Sequence, residues 1–189
     1  MELVSEAIMF AARAHDGMRR KSTQAPYILH PVEAAAIAGS MSTDQEIIAA
    51  AALHDVVEDT EVSLEQIEGL FGKRVAALVG DESEDKRVGV PPAQTWRLRK
   101  EETIEVLRRT DDIAVKIVCL GDKLSNMRSI YRDHLVLGDA LWQRFNQKDP
   151  AEHGWYYRTI AECTSELKDY PAWQEYDELI KIVFERGES

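Results

Sequence analysis

This sequence predicts an all-α protein, a compact helical bundle, and three observations carry that expectation. Apolar residues recur at three- and four-residue spacing, as in Leu3, Ala7, Ile8, Ala11 and Ala12, which places them on one face of an amphipathic helix. Capping signatures punctuate the chain. Thr43 to Glu46 and Ser63 to Gln66 each set a hydroxyl three residues before an acid or amide, the pattern that satisfies two orphan N–H groups reciprocally at a helix start. No segment sustains two-residue alternation, and no Asn-Gly hairpin or internal repeat interrupts the helical pattern.

Taken in order, the first helix is expected over 3–15. A loop holding Gly17 and Pro26 follows, and His30-Pro31 opens the second helix with Pro31 at its first position, where a missing N–H is harmless. The Thr43 box starts a third helix that runs through the apolar stretch Ala49–Leu53 to Val56 and Val57. Ser63 starts the next, and another follows Gly72. Residues 80–94, GDESEDKRVGVPPAQ, are polar and carry Gly89, Pro91 and Pro92. They read as a loop, and one of that length inside a compact domain points to function. Two long helices are expected over 95–109 and 112–130. The apolar run Ile113–Leu120 is short enough for a strand, but its helical flanks favour a buried helix. Asp149-Pro150 caps a further helix and Pro171 begins the last.

A chain of 189 residues suits one domain, 1–189, with a single substantial core. Its 44% hydrophobic and 30% charged content is that of a soluble globular protein. The net charge of −11 argues against a general nucleic-acid binder, whose affinity needs a broad basic surface. A small anionic ligand remains compatible, because basic residues cluster at Arg19-Arg20-Lys21, Arg97–Lys100 and Arg108-Arg109. The start MELVSEAIMF lacks the basic segment of a signal peptide, and no apolar run approaches the roughly 18 residues that span a bilayer. Cys119 and Cys163 are too few for a disulfide framework. The expected setting is cytoplasmic, without membrane contact.

The chemistry concentrates in AALHDVVEDT, residues 51–60, which drives His54, Asp55, Glu58 and Asp59 into the most apolar part of the chain. Buried ionised groups need a partner or a counter-charge. On a continuous helix His54 stacks with Glu58, and Asp55 with Asp59. A cation needs further ligands from other helices; His30, in PYILHP, and Asp122, in IVCLGDKLSNM, are the candidates. Two imidazoles and two carboxylates suit Mn²⁺, Fe²⁺ or Zn²⁺, and the lack of a thiolate lowers the case for structural zinc. His15, His134 and His153 read as surface or helix-end histidines, and Cys119 as core. Trp155-Tyr156-Tyr157 reads as a packing helix, with a stacking face for a base as the alternative, and Lys123 as either solvent-exposed or reaching phosphate.

HDVVEDT after an Ala-rich helix, RRKS…PYILHP before it, and FGKRVAALV and GDKLSNM after it resemble the HD-domain hydrolases of the Rel/SpoT type, and more narrowly the stand-alone small alarmone hydrolases, over about residues 5 to 130. The resemblance implies an all-helical fold and a Mn²⁺-dependent enzyme, with Fe²⁺ or Zn²⁺ as alternatives, that removes the 3′-pyrophosphate from guanosine tetra- or pentaphosphate. It implies that His30, His54, Asp55 and Asp122 hold the metal and that Glu58 and Asp59 handle the attacking water, without saying which of the two is base or acid. It implies that Arg20 and Lys21 lie against purine and phosphates and Asn126 near the sugar. Where long Rel/SpoT enzymes carry a Gly-Val-Thr-Lys type run, this chain has GDESEDKR and then TWRLRK, so Glu84, Asp85, Arg97 and Lys100 are expected to shape a different phosphate pocket. An adenosine alarmone, NADPH at its 2′-phosphate, or a non-catalytic nucleotide sensor are the alternatives.

Overall fold

The computed structural model describes residues 2–20, 23–87 and 89–185. Among these the helices are α1 Leu3–Ala14, α2 Leu29–Met41, α3 Gln45–Leu53, α4 Val56–Asp59, α5 Leu64–Phe71, α6 Lys73–Glu82, α7 Pro92–Arg109, α8 Ile113–Leu137, α9 Pro150–Cys163 and α10 Pro171–Phe184, with 3₁₀ segments at Gly138–Arg144 and Ser165–Leu167. The described residues contain no strand, only an isolated bridge between Arg19 and Pro26. None of the described helices is long and apolar enough to cross a membrane.

Helix α3 sits inside, against α1, α2, α6 and α8, and α8 in turn packs on α2, α6 and α10. Their composition makes this possible. Ala49, Ala50, Ala51, Ala52 and Leu53 are all buried, as are Ala34, Ala35 and Ala38 of α2. Small side chains let helix axes approach closely, and Leu53, Leu120 and Leu124 fill what remains with no exposed surface. Each buried leucine contributes about 1.5–3 kcal/mol. The tightest approach is at Gly121, where a Cβ would lie 2.8 Å from the carbonyl oxygen of Ala34. Any larger residue there would push α8 off α2.

Local chemistry sets the helix ends. Ser63 and Gln66 form the reciprocal capping box, and Asp112 and Asp149 accept from the N–H two residues on, which satisfies donors the helix cannot. The Thr43 box does not form: Asp44 is the cap instead, its carboxylate accepting from Glu46 at 2.9 Å. Pro31 is the third residue of α2, which starts at Leu29; it is tolerated because the N–H groups of a first turn lack helical partners anyway. The 80–94 loop is shorter than expected, since α6 runs to Glu82 and α7 starts at Pro92. Helix α8 extends to Leu137, beyond 130, and stops at Gly138 with φ +53.

A further departure lies at His54 and Asp55. They form a turn between α3 and α4 rather than the middle of one helix. Both residues keep right-handed backbone angles, φ −54 and ψ −39 at His54 and φ −88 and ψ −8 at Asp55, so the break is slight.

Candidate active site

The turn, α2 and α8 bring four side chains to one point. Nε2 of His30 lies 3.2 Å from Nε2 of His54, 3.0 Å from Asp122 Oδ1 and 3.4 Å from Asp55 Oδ2. Nε2 of His54 lies 3.2 Å from Asp55 Oδ2 and 3.5 Å from Asp122 Oδ1. One ligand atom each from His30, His54 and Asp122 lies within 4.8 Å of the others.

The donor set fits a divalent cation. His54 Nδ1 is 2.8 Å from the carbonyl oxygen of Ala51, which only accepts, so Nδ1 carries the hydrogen and the neutral ring presents its Nε2 lone pair. His30 Nδ1 meets Ser125 Oγ at 2.9 Å and also leaves Nε2 facing inward. Two lone pairs and two carboxylates at these distances repel one another out of water unless positive charge lies among them. Protons compete for that place. Burial lowers the affinity of His54 for a proton, but Asp55 and Asp122 outweigh it and hold the pKa well above the ordinary imidazole value. Burial likewise pushes both carboxyl groups up, yet His54 and His30 hold Asp55 low, and Lys123 and the two histidines hold Asp122 low.

Glu58 and Asp59 follow one turn later on α4. Burial, reinforced by the charges of Asp55 and Glu84, pushes Glu58 up to about 7. The loop after α6 packs directly on these acids. The Glu84 N–H donates to Glu58 Oε2 at 3.3 Å, and Lys86 bonds Asp59 and lies 3.6 Å from Glu58 Oε1.

A cavity of about 230 Å³ opens over His30, His54, Asp55, Asp122 and Glu58. It continues into a groove of about 530 Å³ that also touches Asp59, Lys86 and Arg144. Arg20 and Asn126 line both and are bonded at 3.3 Å. Asn126 donates to Asp122 Oδ1 at 2.6 Å, and the Arg20 guanidinium stands 5.7 Å from the Tyr27 ring centre. Lys21 lies outside the described residues.

Three expectations need correction. Lys123 is buried, bonded to Glu82 and Asp122. His15 ends α1 as its C-cap, as expected of a helix-end histidine, although it is buried, whereas His153 is buried rather than superficial and helps wall the cavity, stacked 5.0 Å from Trp142. Tyr156 and Tyr157 are packed in the core, as expected of a packing helix, and also line the cavity. Of the residues expected to shape a phosphate pocket, Glu84 and Lys100 line the cavity, together with Arg99 of the same basic run. Arg97 turns instead to Glu101, Glu152 and Trp155, and Asp85 accepts from the Arg87 N–H. Glu84 is clamped by Arg99 at 2.7 Å and Lys100 at 2.6 Å. Tyr27, which donates to Asp55 Oδ2 at 2.7 Å, stood in the PYILHP motif and was legible there. Glu82 was not, because its partner Lys123 is 41 residues away and no local pattern announces the pair.

Comparison with known proteins gives a consistent result. A family model described as "HD domain" matches residues 7–137. The chain is 42% identical over 135 residues to a probable guanosine-3′,5′-bis(diphosphate) 3′-pyrophosphohydrolase of Synechocystis, covering 68% of this chain and 17% of that protein. It is 38% identical over 130 residues to the bifunctional (p)ppGpp synthase/hydrolase SpoT of Escherichia coli K12, covering 66% of this chain and 18% of that protein. The chain thus spans under a fifth of the length of these curated relatives. A solved structure described as a metazoan ortholog of SpoT that hydrolyzes ppGpp superposes with a TM-score of 0.78 at 26% identity, over 99% of this chain and 97% of that one. A crystal structure from Listeria monocytogenes EGD-e superposes at 0.72 and 30% identity, over 86% and 100%.

Proposed function

The chain belongs to the HD-domain family, and from that premise we propose that it is a divalent-metal-dependent pyrophosphohydrolase that removes the 3′-diphosphate from guanosine tetra- or pentaphosphate, with residues 1–189 acting as one unit. The observation that carries this reading is the convergence of His30, His54 and Asp122 on one point with two acids beside it. The relatives that are named for this reaction support it.

His30, His54, Asp55 and Asp122 are the ligands in this reading, and Mn²⁺ is the ion, with Fe²⁺ or Zn²⁺ as the alternatives that the same donors accept. A divalent cation so held acidifies water and polarises a phosphoryl oxygen. Glu58, whose pKa near 7 suits proton transfer at neutral pH, takes the proton of the attacking water, and Asp59 orients that water. Water adds at the phosphorus esterified to O3′, the P–O3′ bond breaks, the proton taken up by Glu58 passes to O3′, which leaves as the 3′-hydroxyl of the nucleotide, and pyrophosphate is released. Arg20, a planar cation, stacks on the purine or pairs with phosphate, and Lys21 supplies a further positive charge. Asn126, between Arg20 and Asp122, holds the ribose.

The test is product identity. Guanosine tetraphosphate incubated with the protein and Mn²⁺ is expected to yield pyrophosphate and GDP. Release of orthophosphate instead overturns the reading. Glu84 neutralises part of the Arg99–Lys100 pair inside the cavity, a departure that bears on phosphate binding and leaves the base unselected. A panel that includes an adenosine alarmone and NADPH beside guanosine tetraphosphate therefore tests the choice of nucleotide. Binding without turnover across the whole panel would mark a sensor.

A further inference from the structure

We infer that Ser125 and Glu33 are positioning residues for His30: they fix which of its ring nitrogens carries the hydrogen and so keep a lone pair on the one that faces the cation. The inference rests on the metal-site reading above and goes beyond it. Ser125 is buried, and its single hydroxyl hydrogen goes to Glu33 Oε2 at 2.7 Å. Its oxygen is therefore free to accept from His30 Nδ1 at 2.9 Å, which keeps the hydrogen on Nδ1 and the lone pair on Nε2. A hydroxyl donates or accepts as its partners dictate. Without the carboxylate it can turn and donate to Nδ1, selecting the opposite tautomer, with a hydrogen aimed at the cation.

Glu33 is itself held in place. Arg128 Nη1 lies 3.2 Å from Glu33 Oε1, while its Nε and Nη2 grip both oxygens of Glu175 on α10 at 2.6 Å each. The relay thus runs from α10 through α8 and α2 to a metal ligand. His54 is oriented differently, by the backbone carbonyl of Ala51, which cannot reverse its role. Ser125, Glu33, Arg128 and Glu175 are all absent from the cavity lining, so their influence on the site passes through His30 rather than through contact with substrate.

Calorimetric titration of the full chain with Mn²⁺ alone tests this. Ser125→Ala and Glu33→Ala are each expected to weaken Mn²⁺ binding roughly 10- to 100-fold, the usual effect of losing a partner that orients a metal ligand. At saturating Mn²⁺ both should lower kcat for guanosine tetraphosphate while leaving KM unchanged. In the Zn²⁺-loaded chain the His30 Nδ1 proton should give a protected NMR resonance that Ser125→Ala loses to solvent exchange. If Ser125→Ala does not fold, Glu33→Ala, at a half-buried position, decides by the same Mn²⁺ titration. Variants that fold, bind Mn²⁺ as the native chain does and keep the Nδ1 resonance overturn the inference and leave the metal site standing. Failure of the native chain to bind Mn²⁺ overturns the metal-site reading itself.

Discussion

At the floor of the cavity His30, His54 and Asp122 are each at most 5% exposed, whereas at its mouth the Lys86 side chain that holds Glu58 and Asp59 is 43% exposed. The floor is positioned by helix packing so tight that Gly121 leaves no room for a methyl group. The mouth is positioned by a loop and by ion pairs that water screens. Ligands must converge within tenths of an ångström, and only a packed core holds that tolerance. Groups that meet a nucleotide must instead admit it and release the products. The difference teaches that one cavity can be rigid at the cation and adjustable at the substrate.

The strongest way to break this comparison is at the floor. Asp122→Ala or His54→Ala is expected to abolish turnover and empty the site of metal, measured by elemental analysis beside kinetics; unchanged metal content and unchanged rate in both variants would sink the assignment. Glu58→Gln should keep the metal and lower kcat by about 10²- to 10⁴-fold, the range for losing a general base. Gly121→Ala, beside Asp122, should destabilise the fold by about 1–3 kcal/mol through overpacking, read as a lower denaturant midpoint.

The mouth should respond more gently. With Glu58 as the base, kcat/KM rises with pH through the Glu58 pKa, because only the ionised carboxylate accepts a proton. Burial places that pKa near 7, and a neighbouring cation draws it lower. Lys86 favours the ionised form of Glu58, so Lys86→Met should move the acid limb of the profile to higher pH. It should change global stability by no more than about 0–1 kcal/mol, as expected for an exposed pair. A profile that does not move would sever Lys86 from the proposed role of Glu58.

Much of this was legible in the residues. Helix placement followed from spacing and caps, because both are local: Ser63 and Gln66 are three apart and their bond needs nothing else. Helix ends erred where two caps competed, as at Thr43 and Asp44. The His-Asp motif nominated its own partners, although it sits in a turn rather than inside a continuous helix. The buried state of Lys123 and His153, the turning away of Arg97 and the clamp on Glu84 were not legible. Each depends on residues tens of positions away, and an Arg or Lys side chain reads the same in sequence whether it faces water or a cavity.

By itself the sequence determined the helical class, the helix order and the set of groups able to bind a cation, since these follow from periodicity, capping and residue chemistry. Only the tertiary structure decided that the helix breaks at His54–Asp55, that α2 and α8 close to contact at Gly121 and that Glu82 and Ser125 stand behind the candidate ligands. The reason is physical: convergence, burial and hydrogen-bond direction are properties of packed neighbours, and packing brings together residues that the chain keeps apart.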